Sequence, residues 1–180
     1  MNFRLCLILL FFPIMSYAQL YQASEGNVKF VSDAPLELIK AQSSKLTGLL
    51  RLADRSFAFA IPMNSFEGFN SDLQKTHFNE NYVESVKYPL ATFEGKIIED
   101  IDLTTIGEYD VRGKGKFIIH GVEQIRIIKC HLSVHNGKIS ISSKFSVLLA
   151  DHNIKIPTVV SKKITEEISV EMNSILVPKK

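Results

Sequence analysis

Beyond its first eighteen residues the chain alternates apolar and polar positions over long stretches, the pattern of strands with one buried and one solvated face. Between Lys138 and Ala150, Ile139, Ile141, Phe145, Val147 and Leu149 share one side, and Ser140, Ser142, Lys144 and Ser146 the other. A one-residue slip would turn every apolar side chain outward, so the register of such a strand is well specified. The last strand sets Ile164, Ile168, Val170 and Met172 against Thr165, Glu167, Ser169 and Glu171, with Glu166 breaking the pattern on the apolar side.

Turn chemistry marks where strands reverse. Asn136-Gly137 tolerates the positive backbone angles of a two-residue hairpin and joins Ile125–His135 to Lys138–Ala150. Ala53-Asp54 separates Lys45–Leu52 from Arg55–Ile61, and Gly113-Lys114-Gly115 reads as a third turn, between Ile106–Arg112 and Lys116–Gly121. With Val28–Ser32 and Ala91–Ile101 this makes about eight or nine strands joined by short, antiparallel connections. An all-β closed barrel of about eight strands is expected, because closure leaves no exposed edge; its interior is either filled by side chains or holds one small ligand.

One stretch departs from alternation. Ser71 and Gln74 form an S-x-x-Q capping box, predicting a helical start near Asp72 within an insert spanning about residues 70–86. Leu73, His77 and Phe78 would share a face, and Tyr82, Val83 and Val86 a second apolar patch. Asn79 and Asn81 weaken one continuous helix, and Pro89 pushes Tyr88 into an extended conformation. The insert reads equally as a lid over a barrel or as a self-packed surface loop.

The first eighteen residues carry Arg4, an apolar run from Leu5 to Ile14 and a Ser16-Tyr17-Ala18 ending, the layout of a cleaved export signal. The run is shorter than the roughly 20 residues a spanning helix needs. Residues 19–180 then form a single domain with Cys130 as its one cysteine, so no intrachain disulfide can staple it and an apolar core must hold it. The whole chain's formal charge is +2, which gives no basic field for nucleic acid or an anionic membrane.

Chemistry-bearing patterns are sparse. His131 and His135 share a strand face about 13 Å apart, too far for one metal ion. Neither a G-x-S-x-G elbow nor a phosphate loop occurs in the sequence. Cys130 shares parity with Ile128, Leu132 and Val134 and is expected to point inward as a small apolar group. No enzyme, metal or cofactor is expected.

The ordered set Phe57-Ala-Phe-Ala-Ile-Pro-Met-Asn-Ser-Phe66, His77-Phe78, Asn81-Tyr82-Val83-Glu84-Ser85, Lys87-Tyr88-Pro89 and Phe93-Glu94-Gly95 resembles the YceI-like family of exported polyisoprenoid-binding proteins. Gly107 and Tyr109, Gly115–Val122, and Ile154–Pro157 follow in the family's order, so the resemblance covers about Asn27 to Val170. It implies a lipocalin-like barrel with a helical insert, a periplasmic or extracellular location, and an apolar interior that holds an isoprenoid or other long-chain lipid. Ser71-Asp72 and Asn79-Glu80-Asn81 replace more acidic runs of the family at the entrance to the insert.

Nine of the twelve phenylalanines lie beyond Ala18. Phe57, Phe59, Ile61, Phe93, Phe117, Leu132, Phe145 and Val147 on strands, with Phe66, Phe78 and Tyr82 around the insert, are the candidate ligand-lining residues. The same side chains would equally pack a filled core. The alternative to a carrier is an envelope interaction or stress-response module acting through its outer surface, and the pattern is compatible with a homodimer.

Overall fold

Alternating strands bury their apolar faces by closing on themselves. The computed structural model describes residues 19–179, and the expected export signal lies outside the described residues. Nine strands are seen among these residues: β1 Leu20–Ala34, β2 Glu37–Ser43, β3 Thr47–Arg51, β4 Ser56–Pro62, β5 Leu90–Ile97, β6 Gly107–Ile119, β7 Val122–His135, β8 Lys138–Leu148 and β9 Glu167–Pro178. The run β3 to β9 is antiparallel throughout, and β1 pairs with both β3 and β9, closing an eight-stranded barrel. The ninth strand, β2, pairs with the second half of β1, from Val28 to Ala34.

Three sequence expectations are corrected. Gly113-Lys114-Gly115 is not a turn: it lies inside β6, which pairs without a break to β7 from Gly107↔Val134 to Ile119↔Val122. The reversal falls instead at His120-Gly121, both at positive φ (52° and 70°). The glycines serve close packing, since a Cβ on Gly115 would stand 2.1 Å from the Glu94 carbonyl oxygen of β5. Second, Glu37–Ser43 is a strand the sequence reading passed over, so the expected strand number came from two compensating errors. Third, the last strand, β9, starts at Glu167 and not at Ile164, leaving Glu166 exposed at a barrel end, and runs to Pro178, with Lys179 N–H donating to the Leu20 carbonyl.

Asn136-Gly137 makes the expected hairpin at φ 50° and 68°. The insert also forms as its capping signal predicts. Helix α1, Asp72–His77, starts where the Ser71 hydroxyl accepts the Gln74 amide at 3.2 Å. Gln74 Oε1 reaches one residue further back than a standard capping box and accepts from Asn70 N–H. The helix widens into a π turn over Phe78–Tyr82, with Val83 N–H bonded to the Phe78 carbonyl, and ends near Glu84 at φ 44°.

The core falls into two regions. At the end holding the β7–β8 turn, Tyr21, Leu50, Leu103, Leu132, Val134, Ile139 and Leu176 pack together, Leu103 reaching in from the β5–β6 connection as a plug. Toward the insert, Val28, Ala41, Ile61, Met63, Phe66, Val83 and Ala91 form a second cluster, flanked by Phe30, Phe69, Phe78 and Tyr82.

Candidate ligand-binding site

Between these two clusters the barrel is hollow. A cavity of about 540 Å³ runs along its interior, within the 300–1,000 Å³ typical of small-molecule sites. All eleven candidate residues stand on its wall: Phe57, Phe59 and Ile61 on β4, Phe93 on β5, Phe117 on β6, Leu132 on β7, Phe145 and Val147 on β8, and Phe66, Phe78 and Tyr82 around the insert. Cys130 also faces the cavity, where burial pushes its thiol pKa upward and keeps it an unreactive apolar group.

The hollow exists because aromatic rings lie along the wall instead of crossing the lumen. Gly48 faces Phe59 across the β3–β4 pair, and a Cβ there would stand 2.3 Å from two ring atoms, so the ring lies over bare backbone. Gly113 provides the same room for Phe57, whose ring comes within 3.0 Å of its Cβ position. Phe57–Phe93, Phe93–Phe117 and Phe117–Phe145 then continue around the wall at centroid separations of 4.9, 5.9 and 5.9 Å, mostly edge to face.

The insert lies over one end of the cavity, where the exposed residues Ser71, Leu73, His77 and Lys163 belong to its wall. Phe78 stacks on Phe30 of β1 at 5.4 Å and meets Phe66 and Phe69, making an aromatic stopper. Polar bonds hold it to β2: Asn70 Nδ2 donates to the Leu38 carbonyl, Gln74 Nε2 to Glu37 Oε1, and Glu67 pairs with Gln42 backbone to backbone. Its far edge is tied to the β6–β7 turn, where the His120 ring bridges Glu84 Oε2 (Nε2, 2.6 Å) and the His152 carbonyl (Nδ1, 3.0 Å). Tyr88 packs on that ring at 4.7 Å, and Gly121 leaves the space it needs.

Most of the polar side chains on the cavity wall lie at this end: Ser32, Glu37, Ser71, Gln74, His77 and Lys163. Two buried serines elsewhere are spent on backbone, Ser143 donating to the Lys129 carbonyl and Ser174 to that of Glu25. His152 is fully buried, its Nδ1–H donating to the Val122 carbonyl, and burial pushes its pKa down, so it stays neutral. Burial instead raises the pKa of the Tyr82 phenol, again favouring the neutral form. The sequence reading missed Phe30 and Phe69; Phe30 carries the same inward parity in β1 as Val28 and Ser32, which could have found it.

Fold and hollow together define a lipocalin-like antiparallel barrel with an apolar internal cavity. A model of the YceI-like domain matches residues 21–174, and the chain belongs to that family. Among solved structures, a polyisoprenoid binding domain from Saccharophagus degradans superposes with a TM-score of 0.73 at 17% identity, over 90% of this chain and 99% of that one. BcnA of Burkholderia cenocepacia gives 0.70 at 13% identity, over 83% and 95% of the two chains. A Campylobacter jejuni YceI protein gives 0.62 at 15% identity, over 79% and 85%. At these identities the likeness is one of fold. Comparison with the curated proteins found no match.

Proposed function

We propose that this protein is a periplasmic carrier that sequesters an isoprenoid or other long-chain amphiphilic lipid in its barrel, without catalysing a reaction. The observation that carries the reading is the hollow itself: a cavity of about 540 Å³ walled by aromatic and aliphatic side chains, with its polar groups gathered mainly at one end. A chain would lie along Phe57, Phe59, Phe93, Phe117 and Phe145, and its head group would rest near Gln74, His77 and Lys163. Each buried methylene contributes about 0.8 kcal/mol before the cost of association, so a long chain binds without elaborate polar recognition. Family membership supports the reading, as does the fold shared with a domain described as polyisoprenoid binding. Among the described residues, no helix is long and apolar enough to cross a membrane.

The test is purification of the exported protein, extraction with organic solvent and mass spectrometry of the extract. Near-stoichiometric recovery of a polyprenyl or other long-chain lipid is expected. An empty extract, together with a delipidated protein that takes up no geranylgeraniol, would refute the carrier reading and favour a module that acts through its outer surface.

A further inference from the structure

The wall of the barrel is not uniformly bonded. Every residue of β6 pairs with β7, and β8 pairs with β9 from Ile139↔Leu176 to Leu148↔Glu167. Between β7 and β8, however, the ladder ends at His131↔Ser142, while both strands continue toward the insert end. From Ser143 to Leu148 the two staves run without ladder pairing for five residue steps, a slit about 17 Å long at 3.3 Å per residue. Above it, the Leu149–His152 turn docks on β7, Gln124 Nε2 donating to the Asp151 carbonyl.

Two side-chain bonds cross the slit. Ser143 Oγ donates to the Lys129 carbonyl at 2.7 Å, and Arg126 Nη2 to the Ser146 carbonyl at 2.8 Å. The half-buried guanidinium of Arg126 stands 6.0 Å from the Phe117 ring centre and forms no ion pair among the described residues. Immediately inside, Phe145 and Val147 belong to the cavity wall. Outside, a groove over β6 to β9 reaches Val111, Cys130 and Ser143, three residues that the cavity also touches. The outer lip carries Ile125 and Ile127, 60% and 54% exposed. Elsewhere Leu103 packs into one end, four hydrogen bonds hold the aromatic stopper to β2 at the other, and where the β1–β3 ladder stops at Gln22↔Leu49, β2 pairs with β1 from Val28 onward.

We propose that the β7–β8 slit is the lateral passage through which a lipid chain enters and leaves the barrel, latched by Arg126 and Ser143. The proposal rests on the lipid-binding reading above. Parting the strands here breaks two side-chain bonds and no ladder, so a flexible chain can pass sideways past Ile127 and Phe145 while both cores stay packed.

The test bridges the slit. In a Cys130→Ala background, Ile127→Cys and Ser146→Cys, which face each other when the β7–β8 register is continued, are joined by dibromobimane, and exchange of a fluorescent geranylgeranyl analogue is followed by stopped flow. Bridging is expected to slow uptake and release alike by at least tenfold with affinity unchanged, whereas Arg126→Ala speeds both about threefold. A bridge between Ser146→Cys and Ser169→Cys, across the fully paired β8–β9 ladder, should leave the rates as they were. Unchanged rates in the bridged protein, or slowing only when Glu37→Cys and Gln74→Cys tie down the insert, would overturn the passage and leave lipid binding intact. An unbridged protein that binds no geranylgeranyl chain would remove the lipid reading and the passage with it.

Discussion

The two halves of the barrel use the same alternating strands to opposite ends. Toward the β7–β8 turn, Ile139 and Leu176 are completely buried, pair directly across β8 and β9, and touch side chains on every side. From Phe57 and Phe59, which pack against that cluster, onward to the insert, inward rings lie against glycine or against one another and line the open cavity. Aliphatic branching fills a lumen from its wall, whereas a flat ring over a glycine covers wall and leaves space. Stability is therefore concentrated in the packed half and binding capacity in the hollow one.

That division can be broken by substitution. Leu176→Ala opens a void in the packed half and should cost about 2–5 kcal/mol in denaturant unfolding, with lipid affinity in the surviving folded protein nearly unchanged. Phe93→Ala in the hollow removes a ring with empty space on one side, so it should cost less than the roughly 3–5 kcal/mol of a fully packed phenylalanine, while weakening a geranylgeranyl chain about tenfold in fluorescence titration. If the two variants lost stability and affinity in the same proportion, the division would be false. Gly48→Ala sharpens it further. The added methyl has no room beneath Phe59 and should tip the ring into the lumen, so that short prenyl chains still bind and long ones are excluded.

The smallest expected effect is on pH dependence. The pKa of His152 is lowered by burial, so the unfolded chain binds its proton first: stability is fully present above about pH 6.5 and declines as pH falls through the unfolded value toward the folded one. His131, on the outer surface between Asp110 and Glu108, has a raised pKa from those carboxylates, so its contribution is present below about pH 6.5 and is lost as pH rises through the folded value. His152→Gln should flatten the acidic side of a melting-temperature profile and His131→Ala the alkaline side. Unaltered profiles would show that neither environment differs from the unfolded chain.

The barrel was legible because strand alternation and turn residues are local signals. Asn136-Gly137 and the Ser71–Gln74 cap report backbone requirements that hold wherever the segment sits. Gly113-Lys114-Gly115 misled because glycine serves two needs, and here space beside Phe57 and the β5 backbone governs instead of a turn. Glu37–Ser43 was missed because its inward face is only Ile39, Ala41 and Ser43 while Leu38 faces outward, which blurs the apolar–polar alternation. Parity placed the candidate rings on one inner surface, but whether rings meet or part across a lumen depends on which residue faces each from the next strand. Nor does any local motif mark where the β7–β8 ladder stops.

Intermolecular NOEs between carbon-13-labelled protein and bound geranylgeraniol provide the most direct test of the hollow as the lipid site. Cross-peaks are expected from the prenyl methyls to the rings of Phe59, Phe93 and Phe117, with none to Ile139 or Leu176. Cross-peaks confined to surface residues, or shared equally by Ile139 and Leu176, would contradict it.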